Sequence, residues 1–117
     1  MDYQLLKKED IPVQEFLWGR LTWFANQKLG QEDYTLGFCE INIRSQNDFH
    51  FHPNCAETLH VLSGKILHVI GDESVEMKEG DTITIAANVP HNAKNIGDKN
   101  VLLSIAYSSG ERETCNI

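Results

Sequence analysis

The chain has 117 residues, of which 41% are hydrophobic and 23% charged, and its formal net charge is −7 at pH 7. This length and composition are typical of one globular domain with a single core. The acidic balance argues against binding to nucleic acid or to an anionic membrane surface, because both need basic patches that the chain lacks. No apolar run approaches the ~18 residues that a membrane-spanning helix needs.

The first ten residues, MDYQLLKKED, have no apolar stretch after their charges, so no secretory signal is predicted and we expect a cytoplasmic protein. Cys39, Cys55 and Cys115 are odd in number and form no CxxC pair, which is typical of reduced thiols. Cys55 follows two histidines closely. It is expected either near the site that they form or as an inert thiol in a loop.

The predicted elements are short strands separated by turns. A polar N-terminal arm covers about residues 1–17, a strand follows at 19–24, and residues 26–30 form a loop. Apolar residues at 39, 41 and 43 alternate with polar ones up to Arg44, the period-two pattern of a strand with one wet face. Further strands are predicted at 58–62, 65–70, 74–77, 82–85 and 101–107.

The C-terminal tail, residues 108–117, is polar and shows no clear element. Strands at this spacing, with no convincing amphipathic helix between them, predict an all-β sandwich or barrel.

Residues 49–57, FHFHPNCAE, carry a cluster of possible metal ligands. Alternate residues of a strand point to the same face, so His50 and His52 can converge on one ion. Pro53 and Asn54 form a turn signal that would fold the chain back and present Glu57 from the neighbouring strand. A mixed histidine and carboxylate shell with open positions is typical of non-haem Fe(II) and catalytic zinc sites.

Two longer patterns resemble the two conserved motifs of the cupin superfamily. Residues 50–64 read His-x-His-x(4)-Glu-x(6)-Gly, and residues 80–95 read Gly-Asp-x(9)-His-x(3)-Asn. In cupins the corresponding three histidines and glutamate bind the metal. The resemblance therefore implies one set of metal ligands: His50, His52, Glu57 and His91.

The same resemblance implies the architecture. It points to an all-β, cupin-type jelly-roll barrel, with the whole chain, 1–117, as one cupin domain and the conserved barrel at about 35–107. The chain departs from the pattern only in loops. Arg44 replaces a glycine before the first histidine, Ala86 replaces the proline of the second motif, and Asn88 replaces a glycine. Asparagine tolerates the left-handed backbone that glycine would supply.

Two further histidines lie in predicted strands. Glu57 and Leu59 share one parity, which puts His60 on the opposite face and argues against its being a ligand. His68 shares a face with Ile66, but both faces of that strand are apolar, so periodicity does not say which one looks inward. The resemblance favours the Ile66 face. His68 would then approach the pocket as a proton carrier or hydrogen-bond donor, although a hydrogen-bonded core histidine fits equally well.

The resemblance implies a metal-dependent enzyme acting on a small organic substrate, with iron as the preferred divalent ion and zinc, nickel, manganese or copper as alternatives. Four protein ligands leave about two open positions on a six-coordinate metal, enough for substrate and dioxygen. This favours an Fe(II)-dependent, dioxygenase-like oxidoreductase, with Glu57 and His68 as candidate catalytic residues. A non-catalytic cupin that binds a small molecule or metal, and a metal-dependent isomerase or lyase, are the alternatives.

Four aromatic residues lie outside the motifs: Trp18, Trp23, Phe24 and Tyr34. They are expected in the core or at a dimer interface rather than as substrate platforms. A sheet protein of this size has edge strands to protect, and cupins are frequently dimers. We therefore expect a C2 homodimer with Trp18 or Trp23 at or near the interface.

Overall fold

The computed structural model describes residues 2–117, which form strands and two short 3₁₀ turns, Lys8–Asp10 and Gln27–Leu29. The strands are β1 (Val13–Phe16), β2 (Gly19–Ala25), β3 (Thr35–Ile41), β4 (His50–Phe51), β5 (Glu57–Ser63), β6 (Lys65–Ile70), β7 (Glu73–Lys78), β8 (Thr82–Ile85), β9 (His91–Asn95), β10 (Val101–Tyr107) and β11 (Cys115–Asn116). Within residues 2–117 we find no helix with the length and apolarity needed to cross a membrane.

The strands form two antiparallel sheets that pack face to face as a jelly roll. A six-stranded sheet has the order β1-β2-β3-β10-β5-β8, and a five-stranded sheet has the order β11-β4-β9-β6-β7. The predicted all-β jelly roll is confirmed. Consecutive strands often lie in different sheets, so residues that are close in sequence reach the interior from opposite sides.

Period-two alternation builds the core between the sheets. In β10, residues 101, 103, 105 and 107 are buried and the intervening residues are half-buried. β3 and β5 flank β10 and bury alternate residues in the same way, so their inward faces form one continuous layer. Ile41 and Val61 are fully buried in this layer, and Ile66 is fully buried on β6 of the other sheet. Burial of such side chains typically contributes about 1.5–3 kcal/mol each.

Gly64, the last residue of the first motif, makes the turn between the two sheets. It has a φ of 98°, and a Cβ at this position would lie 2.5 Å from Cγ2 of Val101. Both the left-handed backbone and the close approach of β10 therefore require glycine here. The turn lets β5 end in one sheet and β6 begin in the other.

The two loop positions where the chain lacks the cupin glycine keep a left-handed backbone. Arg44 has a φ of 62° and Asn88 a φ of 69°. The prediction that Asn88 tolerates this conformation is confirmed. Arg44 also explains why β3 ends at Ile41, since the chain turns there and Ser45 N–H donates to the Asn42 carbonyl at 3.1 Å. The predicted continuation of this strand to Arg44 is therefore wrong.

Both termini contribute more structure than their polar sequences indicate. The N-terminal arm includes β1, which pairs with β2, and the C-terminal tail includes β11, which pairs with β4. The pairing of β11 corrects the expectation that the tail carries no element. Neither segment shows a strong periodic pattern of apolar residues. Each lies at the edge of a sheet and pairs with a neighbouring strand on one side only, so fewer contacts constrain its residues.

Candidate metal centre

His50 and Glu57 approach the site from opposite sheets. His50 lies on β4 of the five-stranded sheet, whereas Glu57 begins β5 of the six-stranded sheet. The prediction that Glu57 comes from a neighbouring strand is therefore wrong. The turn after His52 carries the chain across the sandwich instead of reversing it within one sheet. The carboxylate still faces the imidazoles, now from across the interior.

His91 is positioned by sheet pairing. It is the first residue of β9 and the direct antiparallel partner of His50 on β4. The ring centroids of these two histidines lie 4.4 Å apart. Opposed residues of an antiparallel pair point to the same face, so pairing alone brings together candidate ligands that lie 41 positions apart in the chain.

The ligand atoms of the four predicted residues lie within 4.8 Å of one another, one atom from each residue. All four side chains are buried, with residue exposures of 9% or less. A buried group of three imidazoles and one carboxylate matches the ligand preference of divalent transition metals. The set can therefore hold one such ion.

All three histidines point the same ring nitrogen at a backbone carbonyl. The acceptors for Nδ1 are Asp48 O for His50 (2.6 Å), Glu113 O for His52 (2.9 Å) and Val89 O for His91 (2.9 Å). A carbonyl only accepts, so each Nδ1 carries a hydrogen and donates it. The neutral ring then has its lone pair on Nε2, which is the atom a metal needs. The backbone thus selects the metal-binding tautomer.

Glu57 lies close to two of these nitrogens. Its Oε1 is 2.9 Å from His91 Nε2 and 3.3 Å from His52 Nε2. His52 Nε2 is buried and has no hydrogen-bond partner among the described residues. A carboxylate oxygen and an imidazole lone pair repel each other at such distances unless a proton or a cation lies between them. The geometry therefore requires positive charge at the centre of the cluster.

The pKa shifts in the protein without metal follow from the same contacts. Burial alone would raise the pKa of Glu57, but the close contacts and charge of His52 and His91 hold it well below its usual range. Burial lowers the pKa of His91, yet its hydrogen bond to Glu57 and the charge of that carboxylate outweigh burial and raise it. Burial lowers the pKa of His50 to about 4, against the opposing effect of its hydrogen bond to Asp48.

A cavity of about 390 Å³ opens beside the cluster and is lined by His50, Glu57 and His91. Apolar side chains from β5 and β10 form much of its wall, including Leu59 and Leu103. The volume lies at the small end of ligand sites in proteins. A small organic molecule therefore fits next to the four residues.

His68 faces this cavity. It lies on β6 with Ile66 on the inward face, is fully buried, and lines the cavity with its ring centroid 5.8 Å from that of His91. Neither ring nitrogen has a hydrogen-bond partner among residues 2–117. The inward orientation that the resemblance favoured is therefore confirmed. The alternative, a core histidine held by hydrogen bonds, does not fit, because neither ring nitrogen has a partner among these residues. Burial lowers the pKa of His68 to about 4.

The structure separates the remaining candidates from the cluster. His60 lies on the other face of β5, where its Nδ1 is 2.6 Å from Thr82 Oγ1. Cys55 is buried outside the group of four, and burial raises the pKa of its thiol. Trp23 is a core residue, as expected, and Trp18 is partly buried against the core; Trp18 also stacks on Phe16 at 4.8 Å and lines the cavity, which was not expected.

Several cavity residues were not predicted from the sequence, among them Tyr107 and Arg112. Tyr107 ends β10 and packs against His52 with ring centroids 5.0 Å apart. Arg112 lies in the C-terminal tail and lines the cavity as well. In the sequence, Tyr107 is only the last residue of the apolar run 101–107, and nothing marks it as a cavity residue. No periodicity or motif marks Arg112, because its position depends on how the tail folds back over the sandwich.

Comparison of the sequence with known protein families assigns the chain to a family. The cupin domain family model matches residues 37–107. An uncharacterized protein of Methanocaldococcus jannaschii is 37% identical over 69 residues, which cover 59% of this chain and 54% of that protein. The chain thus spans about half the length of that curated relative.

Solved structures share the same fold. The oxalate decarboxylase of Lactobacillus farciminis in complex with formate aligns with a TM-score of 0.85 at 18% identity, over 93% of this chain and 34% of that one. The oxalate decarboxylase of Bacillus subtilis, studied for its Mn(II) centres, aligns with a TM-score of 0.82 at 16% identity, over 88% and 29%. The chain spans about a third of these enzymes. At this identity the likeness concerns the fold alone.

Proposed function

Because the chain belongs to the cupin domain family, we propose that His50, His52, Glu57 and His91 bind one divalent metal ion in an enzyme for small organic substrates. The observation that carries this proposal is the set of three Nδ1 hydrogen bonds to backbone carbonyls. Each bond places the hydrogen of the neutral imidazole on Nδ1, so that Nε2 can offer its lone pair to a metal. Histidines with purely structural roles have no need for three such bonds around one buried carboxylate.

The bound metal would act as a Lewis acid and a template with about two open positions. The protein residues hold it from both sheets, and the buried wall keeps bulk water from the substrate. We propose Fe(II)-dependent oxygenation as the reaction, because two open positions suit one substrate atom and dioxygen. The Mn(II) centres of the B. subtilis enzyme make manganese the first alternative ion to test.

His68 is our candidate for proton transfer to and from the substrate. With a pKa of about 4 it is neutral at pH 7, so it carries one N–H donor and one lone pair. Both nitrogens are buried and free for a ligand. Glu57 is the second candidate, but the histidines that hold its pKa low make it a weak base unless it leaves them during turnover.

The proposal is tested by metal analysis and by dioxygen consumption. Protein from its own host should contain about one divalent transition-metal ion per chain, and the Fe(II)-loaded protein should consume dioxygen with some member of a panel of thiols, diols and phenols. His68→Gln should lower turnover while metal content stays unchanged. The matched change His60→Gln on the outer face should affect neither.

Dioxygen consumption that is absent across the panel, with tight reversible binding of one ligand, would indicate a non-catalytic binding protein instead. Turnover of a substrate without dioxygen would indicate an isomerase or lyase. Protein that binds no divalent metal at all would overturn the proposal.

A further inference from the structure

Arg112 lines the cavity beside the proposed metal site. Among the described residues that line this cavity, it is the single lysine or arginine. It lies beyond residues 37–107, the part of the chain that the family model matches. The tail around it is fastened to the turn after β4 by Asn54, whose amide donates to Glu111 O at 2.6 Å and accepts from Glu113 N–H at 3.0 Å. These bonds fix the backbone on both sides of Arg112.

The guanidinium of Arg112 lies over two aromatic rings. Its Cζ is 4.8 Å from the ring centroid of Trp23 and 5.1 Å from that of Tyr107. Such contacts orient a guanidinium and stabilise its charge, but they leave its N–H donors available. Tyr107 also packs on His52. One aromatic ring therefore separates the Arg112 guanidinium from a proposed metal ligand.

Arg112 has no carboxylate partner among residues 2–117, and its buried Nε has no hydrogen-bond acceptor there. Arg20 on the outer face differs, since its Nε lies 3.8 Å from Glu15 and 3.4 Å from Glu40. Arg112 as a whole is half-buried, but its enclosed Nε is a charged donor without an acceptor, which is costly, and a bound anion would remove that cost. The planar fork of arginine matches a carboxylate with two parallel hydrogen bonds.

We propose that Arg112 binds a carboxylate of the ligand, so that the substrates of this site are small organic acids. The inference rests on the proposed function in one respect: a second polar group of the acid would meet the metal. A carboxylate is favoured over a phosphate because it places one negative charge on the one cation that the cavity wall offers, whereas a phosphate would place up to two charges there, close to Glu57 and Asp48; the second charge of a diacid would meet the metal instead. The cavity volume of about 390 Å³ suits an acid of a few carbons.

The test compares diacids with monoacids of the same chain length on the metal-loaded protein. The probes are malonate, succinate and glutarate, paired with propionate, butyrate and pentanoate, and binding is measured by calorimetry. At least one diacid should bind wild type at least ~10-fold more tightly than its monoacid, because charged hydrogen bonds are of this order. Arg112→Gln should abolish that advantage, Arg112→Lys should keep part of it, and the matched control Arg20→Gln should behave as wild type.

Metal content and thermal melting are measured for every variant, so a folding defect is recognised. If Arg112→Gln does not fold, the test uses Arg112→Lys instead. The proposal is overturned if this variant binds diacids more tightly than monoacids by the same factor as wild type. Normal metal binding with unchanged diacid affinity in Arg112→Gln overturns the role of Arg112 and leaves the proposed function standing. Binding of butyrate that depends on Arg112 in a protein that takes up no metal supports the Arg112 site and overturns the metal proposal. Tighter binding of inorganic phosphate than of any diacid overturns the carboxylate assignment.

Discussion

His50 and His91 are direct cross-strand partners on β4 and β9, with ring centroids 4.4 Å apart. The five-stranded sheet thus supplies two proposed ligands through its own hydrogen-bonding register. Glu57 faces them from the six-stranded sheet. A metal held by these three residues would join the two sheets at one end of the sandwich, so metal binding should be coupled to the stability of the fold.

The ligand set predicts which histidines matter for metal binding. His50→Ala and His91→Ala should each weaken metal affinity by at least ~100-fold, because even loss of a hydrogen bond to a ligand costs about 10–100-fold. His60→Ala should leave it near wild type, since His60 bonds to Thr82 on the outer face. Metal content is measured by atomic spectrometry after dialysis. Full occupancy in a His50→Ala/His91→Ala double variant would contradict the assigned site.

Metal binding should stabilise the fold. A ligand that binds only the folded state at about 100 times its Kd stabilises it by about 2.7 kcal/mol. Thermal melts with and without chelator should show this shift in wild type and lose it in Glu57→Gln, which removes the ligand charge from the six-stranded sheet. Glu76→Gln, on an exposed position of β7, is the control and should keep the shift. A shift of equal size in Glu57→Gln would show that this carboxylate is not a ligand.

The metal-free protein should lose stability as the pH falls from about 6.5 to about 4. Burial lowers the pKa of His50 and of His68 from 6.5 to about 4, so in this window the unfolded chain binds protons that the folded chain does not. The stabilisation is therefore present above the unfolded pKa and is lost on acidification. His91, whose pKa is raised, acts in the opposite direction but only above about 6.5.

Urea unfolding midpoints across this range measure the effect. His68→Gln removes one of the two titrating groups, and the pH dependence should become shallower. A pH-independent midpoint in wild type would show that these histidines are not protected from protonation in the folded protein.

Asn95, the last residue of the second motif, should be important for stability and not for metal ligation. Its buried amide donates to the carbonyls of Ile41 (3.0 Å) and Lys99 (2.9 Å), and its Oδ1 accepts from Gly97 N–H at 3.0 Å. Asn95→Ala leaves these groups without partners and should cost about 2–4 kcal/mol of unfolding free energy. Asn42→Ala, at the exposed residue that follows β3, should cost less than ~0.5 kcal/mol. Equal costs in urea unfolding would contradict this role of Asn95.

The expected C2 homodimer remains a prediction, and the structure suggests where to test it. Trp23 is buried in the core, whereas β1 is an edge strand with Val13 48% and Phe16 42% exposed. Light scattering should give twice the monomer mass of 13.3 kDa. Val13→Lys should favour the monomer, because a charge on an edge strand opposes pairing. Val75→Lys, on the edge of the other sheet, is the matched control. A wild-type monomer at tens of micromolar protein would refute the dimer.

The sequence by itself determined most of the central strands, the jelly roll and the proposed ligands. Strand periodicity is a local property, and the bounds of β6 and β10 agree with it to the residue. The local pattern of His50, His52 and Glu57 marked three of the proposed ligands, and the resemblance to the cupin motifs added His91. The parity of Glu57 and Leu59 was enough to place His60 on the outer face.

Only the tertiary structure decided which residues meet across the interior. The turn after His52 does not reveal whether β5 pairs with β4 or crosses to the other sheet, since both paths use the same turn residues. The free nitrogens of His68 depend on what packs around β6. Arg112 reaches the cavity because the tail folds over the sandwich through Asn54 and β11, and such long-range contacts between irregular segments leave no periodic signal in the chain.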